Sequence, residues 1–265
     1  MDGDEVLLAV FVVAFYVYLL YSTITNYKQK KYLKKLLRRT KTSTIKDAKN
    51  ASSGYVEIKG QLCKEEEVEN KNIEELLSPV SRSSCMYYDV HLEEKVTRCT
   101  GTYNNRNCQT YWITVHRDQK SKLFRVKDDT GEMLIDISNA STNFDEDLKD
   151  EVNLFREGSE LTKAYLDSKN LSGGGLMGDK YRLTEVFLQA GDPIYAIGKV
   201  FDIDGQLLLS GENNSTFIVS DKPENLLTQE YNTSATLNLI GMICLLAIPA
   251  SPIIFFILLM LGMRI

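Results

Sequence analysis

Apolar residues form a long run near each end of the chain. The first run, Val6–Ile24, contains 19 residues and no charge, and the second covers Leu237–Met263. At about 1.5 Å of rise per residue, a helix of the first length just crosses a hydrocarbon core of roughly 30 Å. We therefore predict an integral, multi-pass membrane protein with transmembrane helices over 6–24 and 237–263 and with residues 1–5 outside the cytosol.

The second apolar run contains Pro249 and Pro252 near its middle. Proline removes a helical hydrogen bond, and the freed backbone groups must be satisfied inside the protein when they lie in a bilayer. A single kinked span is the first interpretation of this run. A re-entrant hairpin that enters and leaves on one side is the alternative.

Charge is distributed unevenly along the chain. The first 46 residues carry nine Lys and Arg against three acids, whereas the remainder carries 22 against 33. A basic juxtamembrane helix is predicted over 25–43, directly after the first apolar run, and it places the domain that follows in the cytosol by the positive-inside rule. Its candidate membrane-surface residues are Lys28, Lys30, Lys31, Lys34, Lys35, Arg38 and Arg39. They suit a bilayer with anionic headgroups, with a solvated stalk as the alternative, and because the domain itself is acidic no nucleic-acid partner is expected.

Between the two ends, short segments alternate apolar and polar residues, the period-2 pattern of half-buried strands. Strands are predicted over 55–62, 85–96, 111–116, 123–126, 132–137, 193–203, 206–209 and 216–219, with 181–188 as a strand or a short helical turn. Between 145 and 169 the apolar residues recur at helical spacing instead. The fold class predicted is α+β: a small OB-like antiparallel β-barrel with a helical insertion, flanked by the two transmembrane helices.

One predicted strand concentrates residue types that carry chemistry, because Cys85, Asp89, His91 and Glu93 lie within nine positions. At about 3.3 Å per residue, Cys85 and His91 lie roughly 20 Å apart on a strand. A nucleophile and its base must lie within hydrogen-bond reach of one another. These two residues therefore cannot form a catalytic dyad, and no catalytic residue is predicted.

Zinc binding meets the same difficulty. In a hairpin built from this strand and the next, His91 and His116 lie near the open end and Cys99 and Cys108 near the tip, which is too far apart for one tetrahedral site. No metal site and no cofactor are predicted. Cys99 and Cys108 are expected to be two ordinary loop thiols, with a disulfide between them as the alternative.

Two segments resemble a known family. Ser78-Pro79, followed by Cys85-Met86-Tyr87-Tyr88-Asp89 and Glu93-Glu94, resembles the first half of the GIDE, or BAM, domain pattern. Arg182, Glu185, Leu188 and Gly191 resemble its second half. The family-motif residues are thus Ser78, Pro79, Cys85, Tyr87, Tyr88, Asp89, Glu93, Arg182, Glu185 and Gly191, and the GIDE-like domain is predicted over 53–227.

This domain is the membrane domain of RING-type E3 ubiquitin ligases of the MAPL/MULAN type, in which a RING follows the second span. A RING needs about eight Cys and His ligands in CxxC-type pairs, and none is expected here. The resemblance therefore implies a non-enzymatic domain that binds an unknown protein partner, or a ligand, at the cytosolic membrane surface. The alternatives are a ubiquitin-ligase-related transferase that uses Cys85 and a small-molecule sensor that signals through the second span.

Overall fold

The structure, a computed structural model, describes residues 3–48, 55–63, 75–101, 106–153, 158–170, 180–203, 205–211 and 216–247. The chain divides into two compact units. One combines Met1–Thr40 with Pro223–Ile265 and contains two long helices among its described residues, and the other, Lys41–Lys222, contains the strands. The second predicted span therefore has only its first part inside the described residues, and both of its prolines lie outside them.

The helical unit pairs helix α1, Gly3–Arg39, with a second long helix, Glu224–Ala247, which is α4 in chain order. The two helices run in opposite directions, because the Tyr16 hydroxyl donates to the Leu245 carbonyl oxygen at 2.7 Å while Lys30 Nζ lies 5.2 Å from the centre of the Tyr231 ring. Helix α1 runs without a break through the predicted first span and the predicted juxtamembrane helix.

Among the helices of the described residues, none has both the length and the mean hydropathy that crossing a membrane requires. The two predicted spans are therefore not confirmed, and they stay predictions.

The other unit contains two sheets and two short helices. Its elements are α2 Ile45–Ala48, β1 Tyr55–Leu62, β2 Tyr87–Thr100, β3 Asn107–Ser121, β4 Phe124–Asp128, β5 Gly131–Ile135, β6 Ser141–Asn143, β7 Leu148–Asn153, α3 Glu160–Ser168, β8 Lys180–Leu188, β9 Pro193–Ile203, β10 Gln206–Ser210 and β11 Ile218–Ser220. The nine segments predicted as strands all contain strand in the structure, and 181–188 is a strand rather than a helical turn.

Five strands close into the small barrel that the sequence predicts, in the order β1-β4-β5-β10-β9 with β9 pairing back to β1. Its core is apolar and includes Ile58, Val126, Ile135, Ala196 and Leu209, all fully buried. The prediction of an entirely antiparallel barrel is wrong at one seam, because β5 and β10 pair in parallel. Parallel neighbours require a long connection, and here the chain between them is long enough to build β6 to β9.

The second sheet has the order β3-β2-β8-β7, and helix α3 packs with it. Val90, Leu92, Leu183 and Leu166 are fully buried in a second apolar core between the sheet and this helix. The sheet joins the barrel where the Met86 amide donates to the Leu188 carbonyl oxygen at 2.8 Å.

The prediction of a helix over 145–169 is wrong in its first part and confirmed in its second. Leu148 and Val152, whose spacing suits a helix face, lie in strand β7, and among the described residues of this range only Glu160–Ser168 is helical. A spacing of four residues places two side chains on one face of a helix, but because four is even it also places them on one face of a strand. Phe155, the next apolar residue at this spacing, and the glycine-rich stretch 172–178 lie outside the described residues.

Strand β1 changes partner near Gly60. Tyr55 to Gln61 pair with β9, whereas Gln61 and Leu62 pair with β4. A Cβ atom on Gly60 would lie 2.5 Å from the carbonyl oxygen of Lys127. That oxygen belongs to the backbone of the neighbouring strand and cannot rotate away, so this corner of the barrel requires glycine.

We predict that Gly60→Ala lowers the free energy of unfolding of the full chain by about 1–3 kcal/mol, the usual cost of overpacking. The measurement is denaturant unfolding in detergent, followed by the fluorescence of Trp112, the single tryptophan. Gly241→Ala is the matched control, since a Cβ there meets no atom within 4 Å. Equal stability of the two variants would show that the corner tolerates a side chain.

Candidate functional site

The family-motif residues of strand β2 divide between its two faces. Tyr88, Val90 and Leu92 point toward the core under α3. Tyr87, Asp89, His91 and Glu93 alternate with them, and Tyr87 belongs to the core of the barrel instead. The motif residues therefore form two separate clusters, and neither is a single pocket.

Glu185 is the centre of the first cluster. Its side chain is completely buried, and its two carboxylate oxygens accept hydrogen bonds from the amides of Val80 at 2.9 Å and Ser81 at 3.0 Å. Ser78 strengthens the same turn, because its hydroxyl oxygen accepts the Ser83 amide at 3.1 Å. Pro79 lies at the start of this turn, so the Ser-Pro segment is held to strand β8 by one carboxylate.

Cys85 lies beside this turn and is buried, with 2% of its surface exposed. Burial and the nearby Glu185 charge raise the pKa of its thiol to about 11. A thiol with such a pKa stays protonated at neutral pH, whereas the thiolate is the nucleophile. Cys85 therefore has the features of a core residue and not of a catalytic one.

The second cluster is centred on Asp89, whose side chain is 12% exposed. Arg117 on β3 binds it with two hydrogen bonds, Nε to Oδ1 at 3.0 Å and Nη2 to Oδ2 at 2.7 Å, and His91 Nε2 lies 3.2 Å from Oδ2. Burial alone would raise the pKa of the Asp89 carboxyl. The bonds from Arg117 and the charge of His91 outweigh burial and hold this pKa below its usual value.

Farther along the same face, Glu93 forms an ion pair with Arg182 of β8 at 2.6 Å. The Arg182 guanidinium also lies 4.6 Å from the centre of the Trp112 ring, and Lys95 Nζ lies 5.7 Å from the same ring. The tryptophan therefore has a cation near its ring from each of the strands β2 and β8.

Cys99 and Cys108 form a disulfide at the tip of the β2–β3 hairpin, where they are directly opposite each other. The expectation of two free loop thiols is thus wrong, and the alternative holds. The hairpin register explains the pairing, since it continues from Tyr87–Ser121 to Thr100–Asn107 and leaves the two cysteines facing across the strands.

The two histidines lie apart from each other and from these cysteines. His91 lies with Asp89 on one face, whereas His116 lies on the other, with its ring centre 6.3 Å from that of Tyr165. In the described part of the chain, no three His, Cys, Asp or Glu side chains are grouped so that they could hold a metal ion.

Sequence reasoning missed the partners that β3 supplies. Arg117 binds Asp89, Gln119 donates to the Tyr87 hydroxyl at 3.3 Å, and Asp118 accepts from Tyr88 at 3.2 Å. The length of the hairpin, which pairs fourteen residues of β2, determines these partners. The predicted strand over 111–116 ended before the three residues, so nothing in that prediction placed them opposite the motif.

The remaining motif and basic residues lie away from both clusters. Gly191 has φ of 97° in the turn between β8 and β9, and its amide donates to the Leu62 carbonyl oxygen at 2.8 Å. In helix α1 the basic side chains are exposed except for Lys30 and Lys34, which are half-buried.

The structure thus defines a class of protein in which a small five-stranded barrel carries an inserted four-stranded sheet and is joined to a pair of long helices. The chain belongs to the GIDE family, whose family model, described as E3 ubiquitin ligase, matches residues 93–251. Glu93, Arg182, Glu185 and Gly191 lie inside this match, whereas the motif residues from Ser78 to Asp89 precede it. No curated protein and no solved structure matches the chain significantly.

We expect Glu185→Ala to lower the free energy of unfolding by about 3 kcal/mol or more, because it leaves two amides without acceptors in a buried place. Denaturant unfolding of the full chain in detergent measures the change. Glu151→Ala on the exposed side of β7 is the control and should stay within about 0.5 kcal/mol of the unmodified chain. A small effect at Glu185 would contradict its role as the anchor of the turn.

Asp89 should make stability depend on acid pH. Since its folded-state pKa is lowered, its contribution is fully present above its unfolded pKa of about 3.9 and is lost as pH falls through the folded value. We expect Asp89→Asn to flatten this part of the curve of unfolding free energy against pH. In Arg117→Gln the largest compensation for the burial of Asp89 is lost and only His91 remains, so the Asp89 contribution to the slope should become smaller. Parallel curves for all three proteins would contradict this account.

Proposed function

We propose that this chain is a GIDE-domain protein that is held at a membrane by its helical unit and binds another protein through its strand-containing unit, without catalysing a reaction itself. The observation that carries the proposal is the division of helix α1 into an apolar part with exposed side chains and a basic part with one charged side.

The first half of helix α1 exposes large apolar side chains. Phe11, Phe15, Tyr18 and Tyr21 are each more than 60% exposed, within a segment that has no charged residue. Contiguous apolar surface of this kind marks a protein or membrane interaction site on a soluble protein. The uncharged length of Val6–Ile24 favours the membrane.

The second half of helix α1 is amphipathic. At 3.6 residues per turn, the seven basic residues from Lys28 to Arg39 fall within about half of the helix circumference. Leu33 and Leu37, which are buried, lie on the other half. A cluster of Lys and Arg beside an apolar segment suits anionic headgroups, with about 1 kcal/mol of attraction for each residue near the surface.

A non-catalytic role fits the chemistry of the motif. The Cys85 thiol is buried and protonated, the Glu185 carboxylate is saturated by backbone amides, and Asp89 is bound by Arg117. Of these three groups, the thiol is buried and the two carboxylates hold elements together, so none is free to act as a nucleophile or base. The engagement of these groups supports a role in binding a protein rather than in transferring ubiquitin.

The family description supports the second candidate function, a role in ubiquitin transfer. A transfer that passes through a thioester on this chain needs a reactive thiol, and burial of Cys85 argues against it. A binding module that presents a target to a separate ligase would satisfy the family relationship with no chemistry on this chain.

Two features of the sequence and structure point to opposite sides of the membrane for the central domain. The basic residues after the first apolar run favour the cytosol for the central domain, whereas a disulfide is typical of an oxidising compartment. We place the domain on the cytosolic side, because cysteines that lie directly opposite in a hairpin are brought together by the strand register in either compartment.

The test is to express the full chain and to extract the membranes with alkaline carbonate. We expect the chain to stay in the membrane pellet and its central domain to be cleaved by protease added to the cytosolic side. Replacing the seven basic residues of α1 with glutamine should remove this preference for one side, because the charges that set orientation are gone. Replacing Lys120, Lys122, Arg125 and Lys127 of the other unit is the matched control and should not.

Three results would contradict the proposal. Release by carbonate would remove the anchoring, and glycosylation at Asn139 or Asn170, both exposed and both in N-x-S/T sequences, would place the domain on the opposite side. Formation of a ubiquitin thioester that is lost in Cys85→Ala, when the chain is incubated with activating and carrier enzymes, would show that the chain is an enzyme.

A further inference from the structure

Strand β3 forms one edge of the four-stranded sheet. It is fifteen residues long, and no strand of the described residues pairs with its outer side. An edge of this kind presents a row of backbone amides and carbonyl oxygens that can pair with another extended chain. The part beyond the core, from Asn107 to Val115, is exposed on most of its side chains.

The other free edges of this unit are protected in the ordinary ways. Edge strand β7 has Lys149, Asp150 and Glu151 in its six residues, and edge strand β6 is three residues long. Natural proteins use such charges and short strands to prevent edge-to-edge pairing. The segment Asn107–His116 of strand β3 has neither device, since it is ten residues long and contains no charge and no proline.

The exposed segment also has the composition of a strand that pairs. Thr110, Tyr111, Trp112, Ile113 and Thr114 are consecutive residues with high β propensity. The only irregularity in the pairing with β2 follows them, where Leu92 pairs with His116 and Glu93 with Thr114, so that Val115 is left out. Asn107–Thr114 is therefore a regular and unprotected length of edge.

The charges around this edge favour an acidic partner strand. From Lys95 to Arg117 the chain has four basic residues and no acid, although the protein carries a net charge of −5. Arg117 is neutralised by Asp89, but Lys95, Arg98 and Arg106 have no carboxylate partner among the described residues. Lys95 and Arg98 instead lie near the rings of Trp112 and Tyr111, at 5.7 Å and 5.5 Å.

We infer that β3 accepts an extended acidic segment of a partner protein, which adds to the sheet as a further antiparallel or parallel strand along Asn107–Thr114. Main-chain hydrogen bonds to the edge would supply affinity, and alternate side chains would supply specificity. Acidic residues of the added strand would meet Arg98 on one face of the sheet or Lys95 on the other, with Arg106 at the end of the edge, and its apolar residues would pack beside Trp112 or Ile113. A second copy of this chain suits the edge less well, because it would bring two basic Lys95–Arg117 segments together.

This inference rests on the proposed function and names the binding mode of the same domain. The probe is a labelled peptide of about ten residues in which glutamate alternates with valine and threonine. It is added to the full chain in a zwitterionic detergent, and binding is followed by fluorescence anisotropy and by amide hydrogen exchange. We expect saturable binding that slows exchange in β3, while exchange in β7, the charged edge of the same sheet, stays unchanged.

Two variants of the peptide separate strand addition from simple charge attraction. Methylation of alternate backbone nitrogens removes the hydrogen-bond donors along one edge of the peptide without changing its charge, and we expect a loss of affinity of at least about tenfold. Exchange of every glutamate for lysine should abolish binding. Binding that survives methylation would overturn the inference.

Matched protein variants test the charge argument. Arg98→Glu combined with Arg106→Glu should lower affinity by at least about tenfold, whereas Lys127→Glu, which reverses an exposed charge on the barrel strand β4, should not change it. Equal effects of the two changes would mean that no local site exists.

Three further results would also overturn the inference or separate it from the proposed function. If the Arg98 and Arg106 changes instead abolish binding to anionic vesicles, the basic segment around β3 contacts lipid. If they abolish dimers of the chain, the occupant of the edge is a second copy. Neutralising the seven basic residues of α1 should alter membrane orientation but leave peptide affinity unchanged. Loss of membrane anchoring with intact peptide binding would therefore contradict only the proposed anchoring.

Discussion

The double pairing of strand β1 is the constraint on which the rest of the strand-containing unit depends. By pairing with β9 over most of its length and with β4 at its end, β1 closes the barrel around Gly60. The second sheet is inserted into the connections of this barrel. Strands β2, β3 and β8 all leave the barrel at one seam, where Met86 bonds to Leu188 at 2.8 Å and Lys122 bonds to Met86 at 2.9 Å. The barrel therefore fixes the starting points of three strands, and the sheet beyond follows from their register.

Inside that sheet, the polar residues that resemble catalytic groups serve mainly to hold elements together. Burying a carboxylate is costly unless hydrogen bonds replace its water. Glu185 meets this requirement with the amides of the Ser-Pro turn, and Asp89 meets it with Arg117. Because each bond joins segments that are far apart in sequence, a motif of such residues describes the fold of the domain more directly than it describes a reaction.

Much of this fold could be predicted from the sequence, because alternation of apolar and polar residues is a local signal. The strands from Tyr55 to Leu62 and from Pro193 to Ile203 have the bounds that the pattern predicts. The failures occurred where the decisive information is not local. The spacing of Leu148 and Val152 suits a helix and a strand equally, and the parallel pairing of β5 with β10 depends on the whole intervening chain. The partners of Asp89 required the register of the hairpin, which a six-residue strand prediction could not provide.

The length of the β2–β3 hairpin matters for both proposals, because its outer part contributes little to either core. Residues beyond Leu92 are half-buried or exposed, yet the pairing continues to Thr100 and Asn107. The disulfide between Cys99 and Cys108 closes a loop with a sequence separation of nine, and in the chain-entropy account a loop of this size stabilises the folded state by roughly 3 kcal/mol. The ribbon is also held by the Thr97–Thr110 hydroxyl bond at 3.0 Å and by the contact of Arg98 with Tyr111. Because the hydroxyl bond and the Arg98–Tyr111 contact do not depend on redox state, they also hold the edge of β3 in order for a partner strand where the disulfide is reduced.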